Sequence, residues 1–359
     1  MIMIQNNNNR KEGMNHRLDQ IICWFFAHFV ANIGANLKID SSVGAKKKKN
    51  THIHTWTASH SLISTVLIHN NGCIQRKKYN IDRSIRRFGK GNGHSIYKKS
   101  NAKTLILSNR NSETLEAVQD LCNEINNSTA SLRPIKIHIL KCDLSNAESV
   151  DKFATESLRL CGNQVDVLVN NGGISSRSSF VDTTSEVDEF LMRVNFLSGA
   201  ALTKRILPVM VSNNGDGGGD GRIIWISSIQ GLIGTPFRTS YAASKFAVQG
   251  YCEALRSELT SSGVSVHVVS PGYIRTNLSL SAVCGDGSKY GNTYATTAKG
   301  ADPDKVAVQI LDSVAKGCQD FVVAASPSSR IALWIKIFSP PLLRKLLVKR
   351  FKKNLASRQ

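Results

Sequence analysis

The chain has no C-x-x-C pair, no cysteine clustered with histidine, and no apolar run long enough to span a bilayer. Its eight cysteines, at 23, 73, 122, 142, 161, 252, 284 and 318, are scattered, which excludes a disulfide framework or zinc knuckle and fits a reducing compartment. His52-x-His54 is the one close histidine pair, and with no third ligand nearby no metal is expected. Acids are scarce where bases gather. Residues 1–103 hold 18 Lys/Arg against 4 Asp/Glu, residues 330–359 hold 9 against none, and the stretch between is close to neutral. Nucleic-acid binding needs a groove-reading motif or aromatics interleaved with charge, and neither accompanies these ends, so no nucleic acid is expected. Basic ends on a neutral body suit a membrane surface or solvated tails.

Residues 1–62 carry the low-complexity runs Asn6 to Asn9 and Lys46 to Lys49 and show no clean period. Ile21 to Ala35 is apolar but includes His28 and Asn32 and falls short of the roughly 20 residues a spanning helix needs. It reads as a weak membrane anchor at 21–35, a signal-like segment or a disordered lead. From residue 63 the pattern turns regular. Short apolar runs at 64–68, 104–108, 135–141, 165–169, 222–226, 264–270 and 321–323 alternate with helical stretches at 112–126, 146–161, 186–211, 239–261 and 303–316. Most of the runs are continuously apolar, as in strands buried on both faces. Strand, helix, strand in succession predicts an α/β fold: a doubly wound parallel sheet, Rossmann-like, forming one catalytic domain over 63–328. An irregular extension (1–62) precedes it, and an amphipathic tail (329–359) follows. The glycine-rich run Gly215 to Gly221 follows a helix and precedes a strand, the wrong order for a phosphate cradle, so it reads as a surface loop.

Tyr241-Ala242-Ala243-Ser244-Lys245 opens a helix, so its Tyr and Lys, four apart, project from one face. A phenol with a pKa of about 10 is a poor base at neutral pH, and an ammonium beside it favours phenolate. Tyr241 can then give or take a proton as hydride moves. Ser228 ends the strand at 222–226, thirteen residues before Tyr241, where its hydroxyl can steady a substrate oxygen. Asn195 lies in a helix that its type disfavours, so another role can hold it there. Asn170-Asn171-Gly172-Gly173 and Ser270-Pro271-Gly272-Tyr273-Ile274-Arg275-Thr276 each follow a strand. Three strand ends thus converge on one crevice.

These elements resemble the short-chain dehydrogenase/reductase superfamily over about Leu105 to Val323. Asp182-Thr183-Thr184, Ile226-Ser227-Ser228-Ile229-Gln230-Gly231 and Thr276-Asn277-Leu278-Ser279 are similar to its member 7 and 11β-hydroxysteroid dehydrogenase-like group, as is Asn-Asn-Gly-Gly at 170–173 in place of the commoner Asn-Asn-Ala-Gly. The resemblance implies Tyr241 as acid/base, with Lys245 lowering its pKa and holding the nicotinamide ribose. It further implies that Ser228 orients the substrate and that Asn195 holds a relay water. Asp143 would meet the adenine, Asn170 and Gly172 would pack near its ribose, and Ile274 and Thr276 would hold the carboxamide. Arg110 follows the strand that would end in an acid for NAD; a guanidinium there suits a 2′-phosphate, so NADP(H) is the expected cofactor. The implied substrate is a small carbonyl or alcohol compound of lipid or steroid character, and the implied place is a membrane of the endoplasmic reticulum or peroxisome.

The family's phosphate loop, T-G-x-x-x-G-x-G, is broken. One register sets Gly89 and Gly91 on its last two glycines but leaves Ile85 at the first; another makes Gly89 the last, and nothing upstream fits. Isoleucine resists positive φ at roughly 1–3 kcal/mol. A non-catalytic member of the fold, binding a partner or lipid, is therefore the alternative to an enzyme. The tail, Ile331 to Phe338 and then Leu342 to Phe351 after Pro340-Pro341, alternates apolar and basic pairs at helical spacing. Such a helix suits an anionic membrane surface, the protein's own body or a second subunit in a homodimer, and the resemblance favours the membrane.

Overall fold

Seven short apolar runs become seven strands of one sheet. The computed structural model describes residues 65–70, 102–128, 135–214, 220–292 and 295–356. In chain order these form β1 (Thr65–Asn70), β2 (Ala102–Asn109), α1 (Ser112–Ser128), β3 (Lys136–Lys141), α2 (Ala147–Leu160) and β4 (Val167–Asn170). There follow α3 (Ser185–Met192), a π-helical segment (Arg193–Leu197), α4 (Ser198–Asn214), β5 (Gly221–Ile226) and α5 (Thr239–Glu258). Then come β6 (Val264–Pro271), α6 (Pro303–Ala315), β7 (Asp320–Val323), α7 (Pro327–Phe338) and α8 (Pro340–Ala356). Starts are encoded locally. Asn146 caps α2 by accepting from Ser149 N at 3.0 Å, and Asp302 caps α6 by accepting from Asp304 N at 3.0 Å, just ahead of Pro303 at the first helical position.

The strand order is β3-β2-β1-β4-β5-β6-β7, the doubly wound order with its crossover at the centre. Successive residues feed opposite faces. Ile106, Leu168, Ile223, Trp225, Val266 and Val268 pack with α2, α4 and α5, whereas Leu105, Leu107, Val169, Ile224 and Val269 pack with α1 and α6. Burial on both faces explains why these runs show no polar alternation. Leu168 is fully buried, so Leu168→Ala is expected to lower the unfolding free energy by roughly 2–5 kcal/mol, read from urea denaturation.

Two expectations need correction. First, the sheet is not wholly parallel: β1 sits at its centre but runs antiparallel to both β2 and β4, while the other neighbouring pairs are parallel. Thr65 pairs with Ser108 and with Asn170, so the start of β1, not its end, lies at the carboxyl edge of its neighbours. Second, the single helix expected over 186–211 is interrupted. At Arg193–Leu197 the ladder widens, and Ser198 N–H donates to Arg193 O five residues back. The glycine-rich run joins α4 to β5, as expected; its residues 215–219 lie outside the described residues, as do the anchor candidate 21–35, the His52/His54 pair, Gly89 and Gly91. Among the described residues no helix is long and apolar enough to cross a membrane.

Candidate active site

Beyond the carboxyl ends of β4, β5 and β6 opens a cleft of about 140 Å³. Ser228, Tyr241 and Lys245 line it together, as do Ile274 and Thr276 from the loop after β6. Tyr241 and Lys245 sit one turn apart on α5, and Ser228 follows β5. All three are buried. Ser228 Oγ accepts from Gln230 N at 3.2 Å and is thereby held in place.

The electrostatics of Tyr241 differ from the expectation. Burial raises the phenol above its ordinary range, and the groups that pull it back down are the Ser228 hydrogen bond and the Arg238 guanidinium. Lys245 Nζ donates to Ile226 O at 2.9 Å and stands 6.0 Å from the Tyr241 ring centroid, and burial pushes its own ammonium down from 10.5 to about 8.

Asn195 occupies the middle of the π-helical segment, a distortion that recurs at functional sites because it aims one side chain out of register. Its Oδ1 accepts from Ile174 N at 2.7 Å, and its Nδ2 donates to Ile174 O at 2.9 Å and to Ser244 Oγ at 2.8 Å. The amide therefore clamps the loop after β4 to α5. That loop carries Gly173, where a Cβ would stand 3.2 Å from Asn195 Oδ1 and 3.3 Å from Lys245 Nζ. A side chain there would press on both groups. Gly272 is forced by its backbone neighbours, since a Cβ there would lie 2.2 Å from Ala324 O.

The residues assigned to the adenosine end gather at the β2, β3 and β4 ends. Asn109 and Asn170 are buried, and Asn109 Nδ2 and Asn170 Oδ1 lack hydrogen-bond partners among the described residues. Such orphaned groups are costly unless a ligand meets them. Arg110 is exposed at the end of β2. Asp143 follows β3, but its Oδ1 accepts from Ser145 N at 2.9 Å and Ser145 Oγ at 2.7 Å, so that oxygen organises the turn. The cleft walls take Asn171 and Gly173 from the Asn-Asn-Gly-Gly motif, and Asn170 and Gly172 do not line it. The nicotinamide and adenosine ends thus fit a dinucleotide, and the segment with Gly89 and Gly91 lies outside the described residues.

Sequence reasoning missed two buried arginines in the cleft wall. Arg177 donates to Ser175 Oγ at 2.6 Å and to Ser279 Oγ at 3.2 Å, and Arg238 donates to the same Ser175 Oγ at 3.3 Å. Nothing in their spacing marks them; each looks like ordinary surface charge. Gln249 was also missed, although it links Ser227 Oγ at 3.0 Å to Ser270 Oγ at 2.9 Å and so ties the β5 and β6 ends together.

A buried Ser-Tyr-Lys set at the carboxyl edge of a doubly wound sheet is the arrangement of an oxidoreductase. Residues 89–283 match the family described as short chain dehydrogenase, and the chain belongs to the short-chain dehydrogenase/reductase family. Among similar proteins, dehydrogenase/reductase SDR family member 7B of Bos taurus is 41 % identical over 255 residues, covering 71 % of this chain and 75 % of that one. Its Danio rerio counterpart is 42 % identical over 251 residues, covering 70 % and 78 %. Among solved structures, a short-chain dehydrogenase/reductase from Burkholderia phymatum in complex with NAD superposes with a TM-score of 0.55 at 17 % identity, covering 66 % of this chain and 85 % of that one. A short-chain dehydrogenase from Streptomyces avermitilis gives 0.51 at 23 %, covering 70 % and 89 %. At those identities the two structures speak to the fold alone.

Proposed function

We propose that the chain is an NADP(H)-dependent oxidoreductase that moves hydride between the nicotinamide and the carbonyl or alcohol carbon of an apolar, lipid- or steroid-like substrate. The observation that carries this is that buried Tyr241, Ser228 and Lys245 line one cleft beyond the carboxyl ends of the strands. The nicotinamide, when bound, supplies or accepts the hydride. Tyr241 gives or takes the proton on the substrate oxygen, Ser228 steadies that oxygen, and Lys245 holds the ribose and replenishes the proton. Asn195 positions the loop that keeps Gly173 against Lys245. Ile274 and Thr276 hold the carboxamide.

An apolar substrate is supported by Ile226, Ile229, Leu278 and Ile310 in the cleft wall. NADP(H) is supported by Arg110, exposed just past β2. The proposed place is a membrane of the endoplasmic reticulum or peroxisome; the basic tail and the likeness to the member 7 group support it. An NADPH titration followed by fluorescence is expected to show saturable binding, and Arg110→Glu is expected to weaken NADPH by roughly 10-fold or more while changing NADH little. Without saturable binding the enzyme reading fails.

A second reading, a non-catalytic member of the family that binds a partner or lipid, is favoured by one observation. The end of β1, from which a phosphate-binding turn would leave, points to the opposite edge of the sheet from the cleft. The same titration separates the two.

A further inference from the structure

Helix α5 opens on the wrong charge. Its N-cap is Arg238, whose side chain makes no capping hydrogen bond, at a position where Ser, Thr, Asp and Asn serve best. A cation there also opposes the positive end of the helix dipole. Burial adds to the cost: Arg238 is buried and lines the cleft, and among the described residues lining that cleft none is Asp or Glu. Helix stability therefore does not account for an arginine at 238. Residues that break local rules at such a cost gather at functional sites.

What holds this guanidinium also aims it. Arg238 Nη1 donates to Ser175 Oγ at 3.3 Å, and Arg177 Nη1 donates to the same oxygen at 2.6 Å. Arg177 has further duties: it donates to Ser176 O at 2.8 Å and to Ser279 Oγ at 3.2 Å and lies over the Tyr290 ring at 5.9 Å, so it staples two loops together. Arg238 is the N-cap and Tyr241 the third helical residue, two positions whose side chains approach one another at a helix start. The other charged or titratable groups facing Tyr241 are few. Lys245 lies one turn on along α5, Arg177 comes from the loop after β4, and Tyr273, whose charged form would repel a phenolate, comes from the loop after β6. The loop after β5 supplies Ser228 and Gln230, which are neutral. Helix α3 packs Val187 and Leu191 with Tyr241 but keeps Glu186, Asp188 and Glu189 exposed, and the segment of Val283 keeps Asp286 and Lys289 exposed. Burial brings the Lys245 ammonium down to about 8, below the range in which a phenol ionises. A guanidinium keeps its charge throughout that range.

We infer that Arg238 is a positioning residue that acts through Tyr241: fixed on Ser175, its buried guanidinium stabilises the negative charge left on the phenol oxygen when the proton departs. In carbonyl reduction the Tyr241 O–H bond breaks and its proton passes to the substrate oxygen as hydride reaches the carbon. The electron pair of that bond stays on Tyr241 as phenolate. In a cleft poor in water a fixed cation favours that phenolate more than it would in bulk solvent. In alcohol oxidation the same charge holds Tyr241 ready as the base. The use of this charge in catalysis rests on the function proposed above; the coupling of the two side chains does not.

The coupling is tested on the full-length chain without cofactor, isotopically labelled at the tyrosine Cζ carbon and followed by carbon NMR across pH. The resonance missing from Tyr241→Phe belongs to Tyr241, and its position follows ionisation of the phenol. In Arg238→Gln that resonance is expected to begin moving roughly one pH unit or more above native. Ser175→Ala keeps both arginines and removes only their shared acceptor. It is expected to shift the titration the same way by less, and it carries the test should Arg238→Gln not fold. Titration at the native pH in both variants would overturn the inference. So would a native phenol that shows no ionisation below the pH at which circular dichroism detects unfolding. In turnover, the alkaline rise of kcat/KM for alcohol oxidation is expected to move up by the same interval in Arg238→Gln, with kcat/KM at pH 7 falling roughly 10-fold. A loss confined to KM, with the pH limb unmoved, would make Arg238 a substrate-binding group and overturn the inference. A native chain that shows the coupling in the NMR titration but no turnover sinks the oxidoreductase reading and leaves the coupling standing.

Discussion

Under the proposed function, Tyr241→Phe is expected to lower kcat for carbonyl reduction by roughly 10²–10⁴-fold, the usual range for removing a general acid, while NADPH affinity is expected to stay near wild type. The reason lies in what the hydroxyl does and does not touch. It lies buried in the cleft that Ser228 also lines, where the proposed function has it meet the substrate oxygen, and its loss removes a hydroxyl without opening a cavity. Ser228 Oγ keeps its bond from Gln230 N, so the stability cost is about 1 kcal/mol or less. Steady-state kinetics with a panel of apolar ketones, beside a thermal melt, measure both. A variant retaining activity within a few-fold would remove Tyr241 from the chemistry, and with it the function proposed here.

The second large effect falls on Lys245, and it couples activity to stability. In the fold, burial holds the ammonium at about 8 against an ordinary 10.5. Below pH 8 both folded and unfolded chains carry the proton, and the folded state bears the full penalty of a buried charge. Between about 8 and 10.5 the unfolded chain binds a proton that the fold has released, so stability rises with pH across that window, by roughly 3 kcal/mol in all. Lys245→Met removes this slope. The stability of native chain relative to variant is therefore expected to climb from pH 7 to pH 10, measured by urea unfolding under reducing conditions. Activity of the variant is expected to fall by roughly 10²-fold or more. Part of the variant's gain at low pH is offset, because Ile226 O loses its donor. Parallel stability curves would show that the ammonium is not desolvated.

The strands and most helices were legible in the sequence because burial on both faces leaves continuous apolar runs, and because caps such as Asp302-Pro303 declare a start. The direction of β1 was not. A run such as Thr65-Val66-Leu67-Ile68 pairs equally well either way. Ser228, Tyr241 and Lys245 were legible as a set, since strand-end position and helical spacing predict their convergence. Their electrostatics were not, because whether an ammonium faces a phenol or a backbone carbonyl is a rotamer choice that spacing leaves open. Arg177 and Arg238 escaped notice because lone arginines in loops usually face water. The amphipathic stripe of α8 could be seen in its residues, but its seat on Phe237 and Tyr273 depends on tertiary packing alone.

The widened turn around Asn195 has a wider consequence for how the rod from Ser185 to Asn214 is used. One residue beyond the α-helical count rotates everything downstream by about 100°. The front portion, α3, can then lean on α5, and the rear portion, α4, on α2 and the sheet, without a break in the rod. A single continuous cylinder thus serves two clients whose demands are out of phase, and the joint between them is where the amide of Asn195 emerges.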